Sequence, residues 1–497
     1  MRVLFCTSEA VPFAKTGGLA DVSGALPQAL SAAGVDVRVV LPRYGTIALD
    51  GLERLGSVDV DVAGAVLSGT VYRGQMPRRH SPREGSGHTV EVWFVDRPEY
   101  FDRPELYGEG GRDYADSLAR FAFFSRAVLQ WTAAQRWRPD VIHCNDWQSA
   151  LIPAVIAAGQ APAAATLLTV HNLAYQGLFP AAEFSLTGLP PSLFTMAAME
   201  FWGQVNVLKG GIVFSTLLST VSETYAEEIQ TPEFGAGLDG VLRDRRSDLF
   251  GILNGVDYGV WDPSVDPLIP ARYTRGDLRG KAECKRALQQ AFGVQADGTV
   301  PLLGMVTRLV DQKGLDLVAA VIEDVLAAGA QLVLLGTGEP AYHQRFGDLA
   351  AALPQSFGVR LGFDNRLAHL IEAGADMFLM PSRYEPSGLN QLYSLRYGTV
   401  PIVRRTGGLA DSIVDATPAA LAGGTANGFV FVDYAPDALL DAIRRALETF
   451  RAPDTWRRIQ KNGMRADFSW SASAQRYLVL YELAAMRPTQ TAPDTRG

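Results

Sequence analysis

Three polar side chains stand just past short apolar runs, and their types suit chemistry on a sugar. Glu385 lies in Pro381-Ser382-Arg383-Tyr384-Glu385-Pro386-Ser387-Gly388-Leu389, directly after the run Met377–Met380. A carboxylate fixed by a following proline and a glycine-opened helix can bind sugar hydroxyls or balance an oxocarbenium-like transition state. Asp146, in His143-Cys144-Asn145-Asp146-Trp147, and His171, in Val170-His171-Asn172, close apolar runs in the same way. Either alone is as readily structural; three such groups, spread over both halves of the chain, point to a site. Arg308 and Lys313 follow the run Leu302–Thr307, in Thr307-Arg308-Leu309-Val310-Asp311-Gln312-Lys313-Gly314. Two cations there suit a pyrophosphate, stabilising charge on a departing nucleoside diphosphate, although such a pair is also a common surface feature.

A hexapeptide occurs twice, as Thr16-Gly17-Gly18-Leu19-Ala20-Asp21 and Thr406-Gly407-Gly408-Leu409-Ala410-Asp411, each after a basic residue, Lys15 or Arg405. Glycines let a backbone approach a ligand closely, and a helix start offers unpaired N–H donors to an anion or to hydroxyls. Lys15 adds a mobile positive charge. An ordinary strand-to-helix turn is the plain alternative. Gly336-Thr337-Gly338-Glu339-Pro340-Ala341 formally fits a dinucleotide fingerprint, but it lies deep in the chain and lacks the acidic residue about 20 positions on. It reads better as a nucleotide-lining turn.

Other chemistries find little support. The Asp-x-Asp in Val58-Asp59-Val60-Asp61-Val62 sits in a strict apolar/polar alternation, so both carboxylates are expected on the solvent face of a strand. With six histidines, none paired at ligand spacing on a helix, no metal is expected. A net charge of −8 argues against a nucleic-acid partner and against an anionic membrane surface. The basic run Arg78-Arg79-His80 reads as a solvated loop. Cys6, Cys144 and Cys284 are odd in number and widely spaced, matching neither a disulfide framework nor a zinc site. No export signal or membrane span is read in the sequence, and the expectation is a cytoplasmic protein.

Positioning these groups is the task of two sheets. With 497 residues the chain exceeds the roughly 250–300 at which single cores stop growing. Strands are predicted at Arg2–Thr7, Val35–Leu41, Val141–Cys144, Thr166–His171 and Leu218–Ser222, with a helix over Ala20–Ala33. The rhythm restarts at Leu302–Thr307, Gln331–Leu335, Val359–Leu361, Met377–Met380 and Thr399–Val403. This is the pattern of α/β domains with mostly parallel sheets, which bind ligands at the carboxyl ends of their strands. Gly-, Asp- and Pro-rich Asn254–Asp266 reads as a linker with a hinge near residue 255, and the polar tail 489–497 as frayed.

At these residues the sequence closely resembles bacterial glycogen synthases and plant starch synthases, the ADP-glucose group of retaining transferases (glycosyltransferase family 5). The blocks that carry the likeness are Lys15–Val22, His143–Trp147, His171–Phe179, Asn254–Asp257, Arg308–Leu315, Pro381–Tyr397 and Arg404–Asp411. The resemblance implies a GT-B fold, two Rossmann-like doubly wound domains facing across a deep cleft. It implies an N-terminal acceptor-side domain over 1–254 and a donor-binding domain over 255–467. A helix over 468–488, opened by Phe468-Ser469-Trp470, would cross back to the first domain.

It further implies transfer of glucose from ADP-glucose to the non-reducing end of an α-1,4-glucan such as glycogen, with no cofactor. Lys15 and Gly18 would lie by the donor phosphates, Arg308 and Lys313 would hold the diphosphate, and Glu385 would engage the donor glucose. Asp146 and His171 would face the glucosyl ring. Thr406, Gly407 and Gly408 would complete the phosphate cradle, Asn254 would line the donor site, and Glu9 and Asp21 would be turned to the acceptor. Domain closure would keep water out.

Two positions depart from the wider pattern. Tyr393 stands where related retaining transferases carry a second glutamate. Phe101 stands where some relatives have an acceptor-side tyrosine, with Tyr100 beside it. The same chemistry with UDP-glucose or another acceptor, and a two-lobed sugar-binding protein without activity, remain alternatives. The sequence does not set the oligomeric state.

Overall fold

A computed structural model describes residues 1–77 and 89–491. The loop expected at Arg78-Arg79-His80 and residues 492–497 of the expected frayed tail lie outside the described residues. The chain forms two compact units, Met1–Gly255 with Trp470–Gly497, and Val256–Ser469.

The first unit is built on nine strands: β1 Arg2–Cys6, β2 Asp36–Pro42, β3 Glu53–Val62, β4 Ala65–Gln75, β5 Glu91–Asp96, β6 Val141–Asn145, β7 Ala165–Val170, β8 Leu217–Thr220 and β9 Leu249–Gly251. Their order is β9-β8-β7-β6-β1-β2-β5-β4-β3. Pairing is parallel from β9 to β5 and antiparallel where β4 joins β5 and β3 joins β4. Val3, Leu4, Phe5 and Cys6 are fully buried, as expected of a central parallel strand covered on both faces. The outer strand β3 differs. Val58, Val60 and Val62 are buried while Asp59 and Asp61 face solvent, the period-two pattern of a half-covered edge.

The C-terminal helix Trp470–Met486 belongs to this unit and packs against the helix Gly18–Ala32. Tyr481 and Tyr477 are buried in the unit's core, and the Tyr481 hydroxyl meets Nδ1 of buried His143 at 2.8 Å. Gly255 permits this return, because a Cβ there would lie 2.6 Å from the Cα of Trp470.

The second unit carries six strands: β10 Leu302–Leu309, β11 Gln331–Gly338, β12 Phe357–Leu361, β13 Met377–Met380, β14 Val400–Arg404 and β15 Phe429–Phe431. All pair in parallel, in the order β12-β11-β10-β13-β14-β15. The order reverses direction between β10 and β13, a switch point at which α/β sheets open a ligand crevice.

The segment expected to be a linker is fixed within this unit from Val256 onward. Its aspartates make local turns: Asp257 accepts from Gly259 N–H at 2.9 Å, Asp262 from Ser264 N–H at 2.9 Å, and Asp266 from Leu268 N–H at 2.8 Å. Asp262 also pairs with Arg396, and buried Asp266 accepts from the Tyr397 hydroxyl at 2.6 Å and from His369 Nδ1 at 2.8 Å. A composition that looks like a flexible joint is a run of side-chain-closed turns.

Candidate functional site

In the first unit the site grows from the carboxyl ends of β6 and β7. Asp146 follows β6 directly and takes φ +54, a left-handed conformation that aspartate adopts more readily than most residues with a side chain. The turn aims its carboxylate back at β7, where it accepts the His171 N–H at 2.7 Å. Asn145 donates from Nδ2 to the Cys6 carbonyl at 3.0 Å, which leaves its Oδ1 to face His171 Nε2 at 2.9 Å. His171 therefore carries its proton on Nε2, and burial holds its pKa down at about 3, so the ring is neutral. Burial raises Asp146 to about 7, with the negative charge of Glu9 adding to it and the N–H groups of His171 and Asn172 opposing.

Glu9 sits on the other side of the same carboxyl edge. It was expected to face an acceptor, but its carboxylate is committed to the first glycine loop. Thr16 donates its N–H at 2.5 Å and its hydroxyl at 2.6 Å, Gly17 its N–H at 3.1 Å, and Tyr107 its hydroxyl at 2.7 Å. An acid at a helix start satisfies orphan donors and complements the dipole, so Glu9 shapes the loop. Lys15 and Asp21 bind each other, with Nζ 2.8 and 2.9 Å from the two carboxylate oxygens, in an exposed pair. Gly17 is extended at φ −145, and a Cβ on Gly17 or Gly18 would touch nothing. Asn254 is buried with an Oδ1 that has no hydrogen-bond partner among the described residues.

In the second unit Lys313 and Glu385 meet. Lys313 Nζ lies 2.6 Å from the Glu385 carboxylate, which also accepts the Ser382 hydroxyl at 2.9 Å. Glu385 is 7% exposed. Gly314 makes the approach possible: at φ +71, a Cβ there would overlap the Pro381 carbonyl at the end of β13. The loop is fastened further by Arg383 N–H to Gln312 O at 2.8 Å and by Arg404 to Arg383 O at 2.5 Å. Arg308 is exposed and, among the described residues, reaches only to Gln312, at 3.4 Å.

The second glycine loop packs on this same segment. The Gly408 N–H points to the carbonyls of Glu385 at 3.2 Å and Pro386 at 3.1 Å. A Cβ on Gly407 would overlap the Glu385 carbonyl, and one on Gly408 the Ser387 carbonyl. Thr406 is buried at the start of the helix Gly407–Ser412.

The Gly336/Gly338 motif serves sheet packing. Added Cβ atoms would collide with the Thr307 and Leu309 carbonyls of β10, and the Gly338 N–H is taken by His343 Nε2 at 3.0 Å. Tyr393 stacks on Trp261 at 4.0 Å, and Trp261 on His369 at 3.7 Å. Phe101 is wholly buried against Tyr44 and Tyr100, with no face for a ligand. Tyr100 packs under Arg97 and against Phe123.

Sequence reasoning missed several groups. Tyr107 meets Glu9 across 98 residues of chain, which no local pattern announces. Asn145 and Ser382, beside residues already singled out, orient His171 and Glu385 respectively. Phe363, 86% exposed just past β12 at the carboxyl edge of the second sheet, had one available signal: a large aromatic set between Gly362 and Asp364 in a loop. Among the described residues, no cluster of three or more His, Cys, Asp or Glu side chains is arranged to hold a metal, and no helix is long and apolar enough to cross a membrane.

Two α/β units with mostly parallel sheets, one presenting a carboxylate and cations at its switch point, define a glycosyltransferase of the GT-B class. The starch synthase catalytic domain family matches residues 2–244, and glycosyl transferases group 1 matches residues 289–464. The chain is similar to the glycogen synthase of Syntrophotalea carbinolica, 47% identical over 97% of this chain and 99% of that one. Glycogen synthase 1 of Methylococcus capsulatus is 48% identical over 100% and 99%, and the glycogen synthase of Anaeromyxobacter dehalogenans 50% over 98% and 99%. Among solved structures it is similar to the catalytic domain of starch synthase IV from Arabidopsis thaliana bound to ADP and acarbose, with TM-score 0.87, 34% identity and coverage of 98% and 99%. Sucrose-phosphate synthase from Thermosynechococcus elongatus shares the fold, at TM-score 0.58 and 17% identity. The chain belongs to the glycogen synthase and starch synthase family of glycosyltransferases.

Proposed function

We propose that this enzyme transfers glucose from ADP-glucose to the 4-hydroxyl at the non-reducing end of an α-1,4-glucan, retaining the α configuration. The observation that carries the reading is the contact of Lys313 Nζ with the buried Glu385 carboxylate, 2.6 Å apart at the ends of neighbouring strands. A carboxylate held by a cation is ready to receive sugar hydroxyls once that cation turns to a diphosphate.

In this scheme Arg308 and Lys313 take the donor diphosphate, and Lys15 exchanges Asp21 for the phosphates. Gly17 and Gly18 have no conformational or packing need for glycine, which suits the approach of a ligand there. Thr406, Gly407 and Gly408 hold the Glu385 loop in place and complete the phosphate cradle. Phe363 offers a flat face to the base, and the unpartnered Asn254 Oδ1 an acceptor to the donor. Asp146 and neutral His171 bind the glucosyl ring, the His171 carbonyl standing by the anomeric carbon. Glu9 acts through the first loop, and Asp21 through Lys15.

The bond from C1 to the diphosphate oxygen breaks while the acceptor oxygen bonds C1 from the same face. The acceptor proton passes to the departing phosphate oxygen. The cations meet the charge on the leaving group, so no metal ion takes part in the scheme.

The experiment is incorporation of labelled glucose into glycogen, with ADP-glucose and UDP-glucose offered side by side to wild type, Glu385→Ala and Lys313→Ala. Wild type should favour ADP-glucose, and each variant should stay folded while transfer drops about 10²–10³-fold. Near-normal transfer in either variant would sink the site assignment.

A further inference from the structure

Trp202 is a side chain that stability does not explain. It forms the tip of a hairpin joining Glu200–Phe201 to Gln204–Asn206, at φ +52 with Gly203 following at φ +78. Such a pair of left-handed positions is cheap for Asn, Asp or Gly and strained for a bulky residue. The indole is 84% exposed, so the largest apolar side chain in the repertoire is held in water at a strained tip.

The surroundings hold that tip firmly. Buried Lys209 donates from Nζ to the carbonyls of Met196 and Glu200, both at 2.6 Å, clamping the base of the hairpin. The Glu200 carboxylate accepts the Gly203 N–H at 2.7 Å and closes the turn. Phe201 and Trp202 lie beside the turn Ala236–Gly237, itself left-handed at φ +47 and +82. A Cβ on Gly237 would be 2.8 Å from Phe201 Cζ and 3.7 Å from Trp202 Nε1. Gln176 donates to the Ala236 carbonyl at 3.0 Å and accepts from Asn206 at 2.6 Å, so the segment carrying Tyr175 is joined to the same turn. Tyr175 is 56% exposed and Met196 81%. Tyr175 also closes the turn that His171 leads into, its N–H meeting the Asn172 carbonyl at 3.2 Å.

We propose that Tyr175 and Trp202 form a glucan platform, on which sugar rings of the acceptor chain stack as it leaves the His171 site. The C–H faces of glucose rings pack on aromatic faces, and rigid aromatics supply contact area at low entropic cost. Exposed Tyr175, Met196 and Trp202 are uncharged, matching a neutral polysaccharide, while Lys209 is buried and the Glu200 carboxylate is taken up by the turn. Tyr175 belongs to the turn that follows His171. The inference rests on the glucan-acceptor reading above.

Trp202→Asn is the test variant, because Asn tolerates the left-handed tip and keeps the fold. Its KM for glycogen should rise about tenfold, the scale of one lost aromatic contact, with KM for ADP-glucose and transfer to maltose unchanged. Trp202→Phe should restore glycogen KM. Val66→Ser, at the exposed start of β4, should match wild type throughout. Maltoheptaose binding by calorimetry gives an independent reading, weaker for Trp202→Asn than for wild type. A wild type that binds maltoheptaose but fails to use ADP-glucose would refute the donor and leave the platform tested. Unchanged glycogen KM and maltoheptaose affinity in Trp202→Asn overturn the platform. So does a Trp202→Phe variant as impaired as Trp202→Asn, or an altered sedimentation coefficient with glucan binding intact, which would assign the face to a second copy of the chain.

Discussion

The two copies of Thr-Gly-Gly-Leu-Ala-Asp are identical in sequence and different in cause. In the first, Glu9 fills the helix start with its carboxylate, and neither glycine has a neighbour that a methyl group would touch. In the second, carbonyls of the Glu385 loop meet the Gly408 N–H, and a methyl group on either glycine would strike backbone. Glycine at the second loop is therefore demanded by the fold. At the first it is demanded by nothing among the described residues. The same six letters report packing in one place and open space in the other, and only the surrounding atoms tell which.

Substitutions can break that contrast. Gly408→Ala should have the largest effect: backbone must shift at Ser387, with about 1–3 kcal/mol lost in denaturant unfolding and transfer abolished as Glu385 moves. A stable, active Gly408→Ala would erase the distinction.

Titration should separate the two loops next. The carbonyls around the second do not ionise, whereas Asp146 stands near Glu9 and the first. Folded Asp146 keeps its proton up to about pH 7, while in the unfolded chain a carboxyl loses it near 3.9. The folded state thus binds more protons in that window, and stability falls as pH rises through it, levelling off above about 7. His171 opposes this below pH 6.5, because its folded pKa is depressed to about 3. The informative quantity is accordingly the difference between Asp146→Asn and wild type, which should move in favour of the variant from pH 4 to pH 7. A flat difference would show that Asp146 is ionised throughout.

The smallest change in stability is expected of Gly18→Ala, near zero or slightly favourable by about 0.4–1 kcal/mol, since alanine suits a first helical turn. Its transfer activity should nonetheless fall. Wild-type activity there would mean that nothing approaches the first loop.

Many of the strands were legible because central parallel strands are buried on both faces and read as unbroken apolar runs. Met377–Met380 has the bounds expected of it, and Arg2–Cys6, Gln331–Gly338 and Val400–Arg404 differ only at their ends. Ala65–Gln75 was not legible: it mixes Ser, Gly, Thr and Arg, and it is a strand because antiparallel neighbours pair with it on both sides. Site residues at strand ends stood out as polar breaks in apolar runs. Their partners did not, since Tyr107 reaches Glu9, and Asn145 reaches Cys6, only once the chain has folded. The ordered turns within Asn254–Asp266 were not legible for a related reason, because aspartates that close turns have the composition of a loose joint.

The return of Trp470–Met486 to the first unit sets an order of birth. The second unit is one uninterrupted stretch and can close as soon as residue 469 has been made. The first unit is begun at residue 1 yet lacks the tyrosines that seal its His143 core until the last helix emerges. During synthesis, the half of the enzyme that is made first is the half that is finished last.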